Sequence, residues 1–228
     1  MSSLNKIVYS IQEKLRVELS DDDPIDWRLI AEEIHTTRAA FIRNEMNRNR
    51  TPDPFIIQNL GCVELEVVDR AECCDITIDC SILRTSQRIP STVELHNSNL
   101  IWVNPVDTLA KSFSLISYER AKFIKGHRFT SREIYVFMLN GYLYLISEDD
   151  THSQITHLNV TGVFENPEDA SSFNTCDGEA CFDPDADYPL KAWMRKSVET
   201  EVFNTLLSKL KNPADTTNDA SGKMTTKA

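Results

Sequence analysis

The stretch REIYVFMLNGYLYLISE, residues 132–148, sets the strongest local constraint in the chain. Asn140-Gly141 is a pair that the two-residue type I′ turn favours, because both central residues must take positive φ. The arms on either side are rich in Tyr, Ile, Val and Leu, so the spacing predicts a tight antiparallel hairpin. A chain that holds one must build a sheet, and its other segments can be sorted by whether apolar residues recur at strand or helix spacing.

Helix spacing dominates both ends. Leu4, Ile7, Val8, Ile11 and Leu15 form a single stripe, which predicts an amphipathic helix over residues 3–19. In SDDDPIDWRLI, Asp23 suits an N-cap, Pro24 the first helical position and Asp26 the positive end of the helix dipole. A second helix is expected from Pro24 to Met46, with Trp27, Ile30, Ile34, Phe41, Ile42 and Met46 apolar and Arg43, Arg48 and Arg50 toward its C-terminal end. The two read as a helical hairpin. From Pro189 a third pattern begins, with Trp193, Met194, Val198, Val202, Phe203, Leu206, Leu207 and Leu210 on roughly one face, ending near Asn212-Pro213.

Between these ends, CVELEVVD, DITIDCSIL and LIWVN read as strands. SQITHLNVTGVF reads as a further strand ending near ENPED, and SYERAKFIK as a short helix before the hairpin. The expected fold is α+β: an N-terminal helical hairpin and a C-terminal helix packed as a bundle beside a small antiparallel β-sheet domain. The expected division is 1–50 for the helical hairpin, 51–188 for the β-rich domain and 189–212 for the C-terminal helix packing with the hairpin. Residues 213–228, whose one large apolar side chain is Met224, are expected to be a disordered tail.

Composition limits the chemistry. The opening residues show neither the basic start nor the unbroken apolar run of a secretory signal, and no 18 apolar residues run together, so no export signal or membrane span is expected. In reducing surroundings the six cysteines argue weakly for disulfides, and the sequons at Asn49 and Asn159 are expected to be accidental. A formal charge of −11 opposes a surface that grips phosphate backbones.

No motif proposes catalysis or a cofactor. Zinc ligands come as two short pairs, whereas Cys73 and Cys74 are adjacent, Cys80 stands apart, and only Cys176 with Cys181 fits loosely. On a strand, Cys80 would share a face with Ile76, Ile78 and Ile82 and simply pack. DPDADY, residues 183–188, imitates the opening of a calcium loop, but Tyr188 stands where Gly is required and Met194 where Glu closes the loop. The acids of residues 20–23 beside Glu18 have the plain explanation of helix capping. His35 is expected on a helix surface, and the other histidines near loops and strand ends. With six glycines and no phosphate-cradling run, nucleotide binding lacks its usual backbone device.

LNKIVYSIQEKLR, DDDPIDWRLIAEEIHTTRAAFIRNEMNR, IIQNLGCVELEVVDRAECCD, DCSILRTSQRIP, YVFMLNGYLYL and VTGVFENPED follow one another in that order. Over about residues 3–212 this resembles the ring, or head-to-tail connector, proteins of crAss-like bacteriophages. The resemblance implies a viral structural protein with no enzymatic activity and no cofactor or metal. Its copies would form a ring, a dodecamer, beneath the portal protein and against other ring and tail proteins of a short-tailed virion. The ring would be part of the ejection conduit, which DNA crosses without specific binding, and the protein would be made in the host bacterial cytoplasm, away from membranes.

Within that reading the hairpin of residues 3–50 and helix 190–212 are expected to pack against neighbouring subunits or the portal. Trp27, Phe41, Trp193 and Phe203 are candidate anchors, because large aromatics dominate interface energetics; the alternative is that they fill the subunit's own core. The net charge motivates a separate expectation, that Asp21, Asp22, Glu165, Glu168 and Asp169 line an acidic lumen and reduce sticking of DNA. Two competing classes remain: a monomeric cytosolic interaction module, and a metal-dependent hydrolase built on Cys176 to Asp187.

Overall fold

The computed structural model describes residues 2–19, 25–49, 52–70, 81–95, 98–99, 101–107, 111–124, 133–147, 154–173 and 182–210. In chain order they form α1 (Leu4–Glu18), α2 (Trp27–Asn49), β1 (Gln58–Asp69), β2 (Ser81–Thr85), β3 (Glu94–Leu95), β4 (Ser98–Asn99), β5 (Ile101–Pro105), β6 (Ser114–Ile116), α3 (Tyr118–Ala121), β7 (Tyr135–Leu139), β8 (Tyr142–Ile146), β9 (His157–Gly162), α4 (Pro167–Ser171) and α5 (Ala192–Leu210). The class is mixed α+β. No helix among the described residues is long and apolar enough to cross a membrane.

The α1 stripe is buried as its spacing requires: Leu4, Ile7, Val8, Ile11 and Leu15 all face inward. Ser3 caps the helix, its hydroxyl accepting from the Lys6 amide, which moves the start one residue later than expected. α2 begins at Trp27 and not at Pro24, and continues to Asn49 beyond the expected Met46. Ile25 and Asp26 are not helical; the Asp26 carboxylate accepts the Arg28 amide at 3.0 Å, so Asp26 takes the role expected of Asp23. Asp23 and Pro24 lie outside the described residues. α5 starts at Ala192, three residues after Pro189, whose carbonyl accepts from Arg38 instead.

Ile7 and Ile11 of α1, Ile34 and Ile42 of α2, and Val198 and Leu206 of α5 belong to one apolar core, and Ile56, Val93 and Val163 join it from the sheet side. The helices are thus held by burial of shared apolar area more than by intrinsic propensity.

Among the described residues the sheet has seven strands in the order β5-β9-β1-β2-β8-β7-β6 and curls until it is nearly a barrel, with the Phe113 amide donating to the Val103 carbonyl at 3.0 Å between its two edges. It is therefore larger than the small sheet expected, and not wholly antiparallel: β6 pairs parallel with β7, and α3 is part of the crossover that such a pair demands. The bend of the 12-residue β1 arises at a bulge, where Gly61 takes φ +73° and its amide is held by the Asn59 side chain at 2.8 Å. This lets the first half of β1 pair with β9 and the second half with β2.

Alternate residues point inward. Leu60, Val63, Val136, Leu143, Leu145, Leu158 and Val160 fill the interior, closed at one end by Phe164 and Phe173. The outer face of β2, β7 and β8 is apolar as well, since Ile82, Phe137 and Ile146 pack with Ala121 of α3 and with Ile124 just after it. A sheet buried on both faces loses the clean alternation of a one-sided strand.

The β7–β8 hairpin forms at Asn140-Gly141, with φ +53° and +82° and Leu139 opposite Tyr142. A Cβ at Gly141 would meet the Arg88 side chain at an unstrained 3.8 Å, so the backbone conformation alone penalises a substitution. Gly141→Ala is expected to destabilise the fold by about 1–2 kcal/mol, and Asn140→Gly to be close to neutral. Urea unfolding of the two variants checks this; equal midpoints for Gly141→Ala and wild type would remove the argument.

Candidate assembly surfaces

Three segments distant in sequence meet around the buried face of α2. Arg38 is fully buried; its Nε donates to the Pro189 carbonyl at 2.7 Å and its Nη1 to the Phe164 carbonyl at 2.9 Å. The guanidinium lies 5.7 Å from the centre of the Tyr188 ring. It joins the helical core to the end of the barrel and to the segment that leads into α5. On the far side of α5, Glu199 accepts from Arg195 at 2.7 Å, Lys14 at 3.1 Å and Ser10 at 3.2 Å, which ties α5 to α1. Burial works to raise the pKa of Glu199, but hydrogen bonds from Arg195 and Lys14 outweigh it and hold the carboxyl below its ordinary value.

One turn before Arg38, His35 is buried and not on a helix surface as expected. Its Nε2 lies 3.1 Å from Glu168 Oε1 and its Nδ1 2.7 Å from the Tyr188 hydroxyl. A carboxylate can only accept, so Nε2 carries the proton and Nδ1 accepts from Tyr188. Burial raises the Tyr188 pKa far enough to keep that donor protonated. Burial also lowers the pKa of His35, and the bond to Glu168 offsets this only in part.

A histidine whose folded pKa lies below its unfolded value of about 6.5 contributes stability that is full above that value and lost as pH falls through the folded pKa. Thermal melting is therefore expected to show stability falling below pH ~6.5, with a shallower fall in His35→Gln. An unchanged slope in that variant would assign the acid sensitivity to other groups.

The four candidate anchors divide by burial. Trp27, Phe41 and Phe203 are half-buried against the helical core, and Trp27 donates its indole N–H to Asn5 at 3.2 Å. Trp193 is 57% exposed at the start of α5. Near it Lys191 bridges to Asp53 at 3.2 Å and lies 5.7 Å over the Trp193 ring. Asp53 in turn caps the short 3₁₀ turn Pro54–Ile56, which presents Phe55 at 61% exposure. The Lys191–Asp53 ion pair thus links the segment that carries exposed Trp193 to the turn that carries exposed Phe55. Sequence reasoning missed Phe55, although the Asp53-Pro54 turn signal preceding it was available.

Of the acidic candidates, Glu165 and Asp169 are exposed beside and on α4, whereas Glu168 is engaged by His35. Asp21 and Asp22 lie outside the described residues. α4 itself was read only as the end of a strand, yet Asn166 as cap, Pro167 at the first position and Glu168 and Asp169 in the first turn are a complete helix-start signal. Cys73, Cys74, Cys80, Cys176 and Cys181 also fall outside the described residues, with the strand face expected for Cys80. Cys62 is half-buried in β1. Among the described residues no group of three or more His, Cys, Asp or Glu side chains gathers as a metal site.

The described surface offers faces for contact, and comparison supplies the class: a phage tail ring protein. The family model described as phage tail ring protein 2 matches residues 6–224, and the chain belongs to that family of ring proteins of crAss-like phages. A search of curated proteins finds no match.

Proposed function

We propose that copies of this chain close into a ring, a dodecamer, at the head-to-tail junction of a short-tailed virion, below the portal protein and against other ring and tail proteins. The ring forms part of the conduit through which DNA and ejected proteins leave the capsid. The observation that carries this reading is the match of residues 6–224 to a tail ring protein family. In it the protein acts structurally, without enzymatic activity, and is made in the host cytoplasm before it joins the virion.

The helical segments 1–50 and 189–212 form one unit in this reading, supported by the core that α1, α2 and α5 share. Residues 51–188 form the β-rich domain and 213–228 a tail. Trp193 is the first candidate for contact with a neighbouring subunit or the portal, and Phe55 the next. Trp27, Phe41 and Phe203 have a second role in the subunit's own core. Exposed Glu165 and Asp169 face the lumen together with Asp21, Asp22 and Glu168 and keep DNA from sticking.

Negative-stain electron microscopy of the protein, alone and mixed with the portal protein of the same genome, tests the proposal. Open-centred rings are the expected result. Absence of association at every ratio would overturn the connector role and favour a monomeric interaction module.

A further inference from the structure

We propose that a groove on the outer face of the sheet receives the acidic turn Asp183–Asp187 of the next copy of this chain, forming the head-to-tail contact of the ring. This rests on the ring reading above and adds the two surfaces that meet.

The groove, of about 860 Å³, lies on the outer sheet face beside α3, lined by residues of β2, β7 and β8 and by Tyr118, Ala121 and Lys122. Its floor is aromatic: Phe137 and Tyr144 stack at 5.2 Å with their planes 8° apart. Its walls are cationic. Arg84 stands 4.5 Å and Arg88 5.6 Å over the Tyr142 ring, and Lys122 4.4 Å over Tyr118. Arg70 also lines it, its Nε buried and, among the described residues, lacking a hydrogen-bond partner. Arg84 and Lys122 are bonded to Glu66 and Glu119, while Arg88 is exposed at the rim. In a chain of net charge −11 this concentrates positive charge on one face, and its complement is abundant elsewhere on the same molecule.

The acidic turn has the matching chemistry and position. Asp183, Asp185 and Asp187 are all exposed, and the turn is held by the Asp185 amide on Asp183 at 2.9 Å and by Asn5 on Asp185 at 2.8 Å. Asp183 and Asp187 line a cleft with Gln58, the first residue of β1, whereas Asp69, its last, lines the groove. The two surfaces thus lie at opposite ends of a strand roughly 35 Å long. A heterologous contact requires two different, complementary patches on each copy, and patches at opposite ends propagate from copy to copy until the rotation closes. Arginine over aromatic rings also suits single-stranded nucleic acid, and the test below separates that occupant from the acidic turn.

The test uses the full chain mixed with the portal protein, imaged for rings. Arg88→Glu is expected to cut ring yield about tenfold or more with an unchanged melting temperature, and the charge-swapped double variant Arg88→Glu/Asp185→Lys to recover it. Rings that persist in Arg88→Glu overturn the groove while leaving the ring reading intact. Loss without recovery in the double variant overturns the assignment to the acidic turn. Absence of rings in the wild type overturns the ring reading and this contact with it. Binding of a labelled single-stranded oligonucleotide that Arg88→Glu abolishes, with rings unaffected, reassigns the groove to nucleic acid.

Discussion

Replacing Arg38 with alanine is expected to lower the stability of the fold by about 3–5 kcal/mol, because one buried and one part-buried carbonyl lose their donors at up to about 1–3 kcal/mol each and a cavity adds to the loss. The carbonyls are those of Phe164, at the end of the barrel, and Pro189, ahead of α5. His35, one turn earlier on α2, ties the same two regions through Tyr188 and Glu168, and stabilities of single domains are only about 5–15 kcal/mol in total. Arg38→Met keeps most of the volume but leaves both carbonyls without a donor, so it separates the hydrogen-bond loss from the cavity. Urea unfolding of wild type and both variants measures the effect. A loss below about 1 kcal/mol in Arg38→Met, the net worth of one ordinary hydrogen bond, would mean that water replaces the guanidinium and that the tie is dispensable.

The second large effect concerns assembly and leaves folding alone. Trp193→Ala is expected to reduce association with the portal or with neighbouring copies about thirtyfold, as loss of an aromatic anchor worth ~2 kcal/mol implies. At 57% exposure the side chain contributes little to the core, so the melting temperature should stay close to that of the wild type. Phe203→Ala supplies the opposite pattern, since Phe203 packs against the helical core: melting temperature falls and any loss of assembly follows from it. Ring counts by electron microscopy beside thermal melts of both variants decide the matter. Full assembly of Trp193→Ala would remove Trp193 from the interface and leave Phe55 as the candidate to examine.

Local periodicity carried a long way in this chain. The α1 stripe, the Asn140-Gly141 hairpin and the short helix in SYERAKFIK were legible because each depends on residues close in sequence: a 3.6-residue repeat, a turn that needs positive φ, a helix start. Helix boundaries were less legible. Asp23 and Asp26 are both competent caps, and only the observed backbone shows that the helix waits for Asp26. The third helical pattern began from Pro189, but α5 starts at Ala192 and the Pro189 carbonyl is bound to Arg38, 151 residues away in sequence.

The candidate surfaces were less legible still. Composition showed that the chain is acidic; it could not show that Arg84 of β2, Arg70 and Arg88 just beyond β1 and β2, and Lys122 just beyond α3 converge on one face, because these segments come together only when the sheet folds. Likewise Trp193 and Phe203 both fit the apolar side of α5, and only packing separates the exposed one from the half-buried one.

The sequence by itself determined the helical ends, the β-rich middle and, through the order of its segments, the family. The tertiary structure alone decided the near-barrel closure, the parallel β6–β7 pair, the burial of His35 and Arg38 and the grouping of cations over tyrosines. The physical reason is the range of the forces involved. Periodicity, capping and turn chemistry act within a few residues and are written in the chain, whereas burial and charge convergence exist only once distant segments have packed.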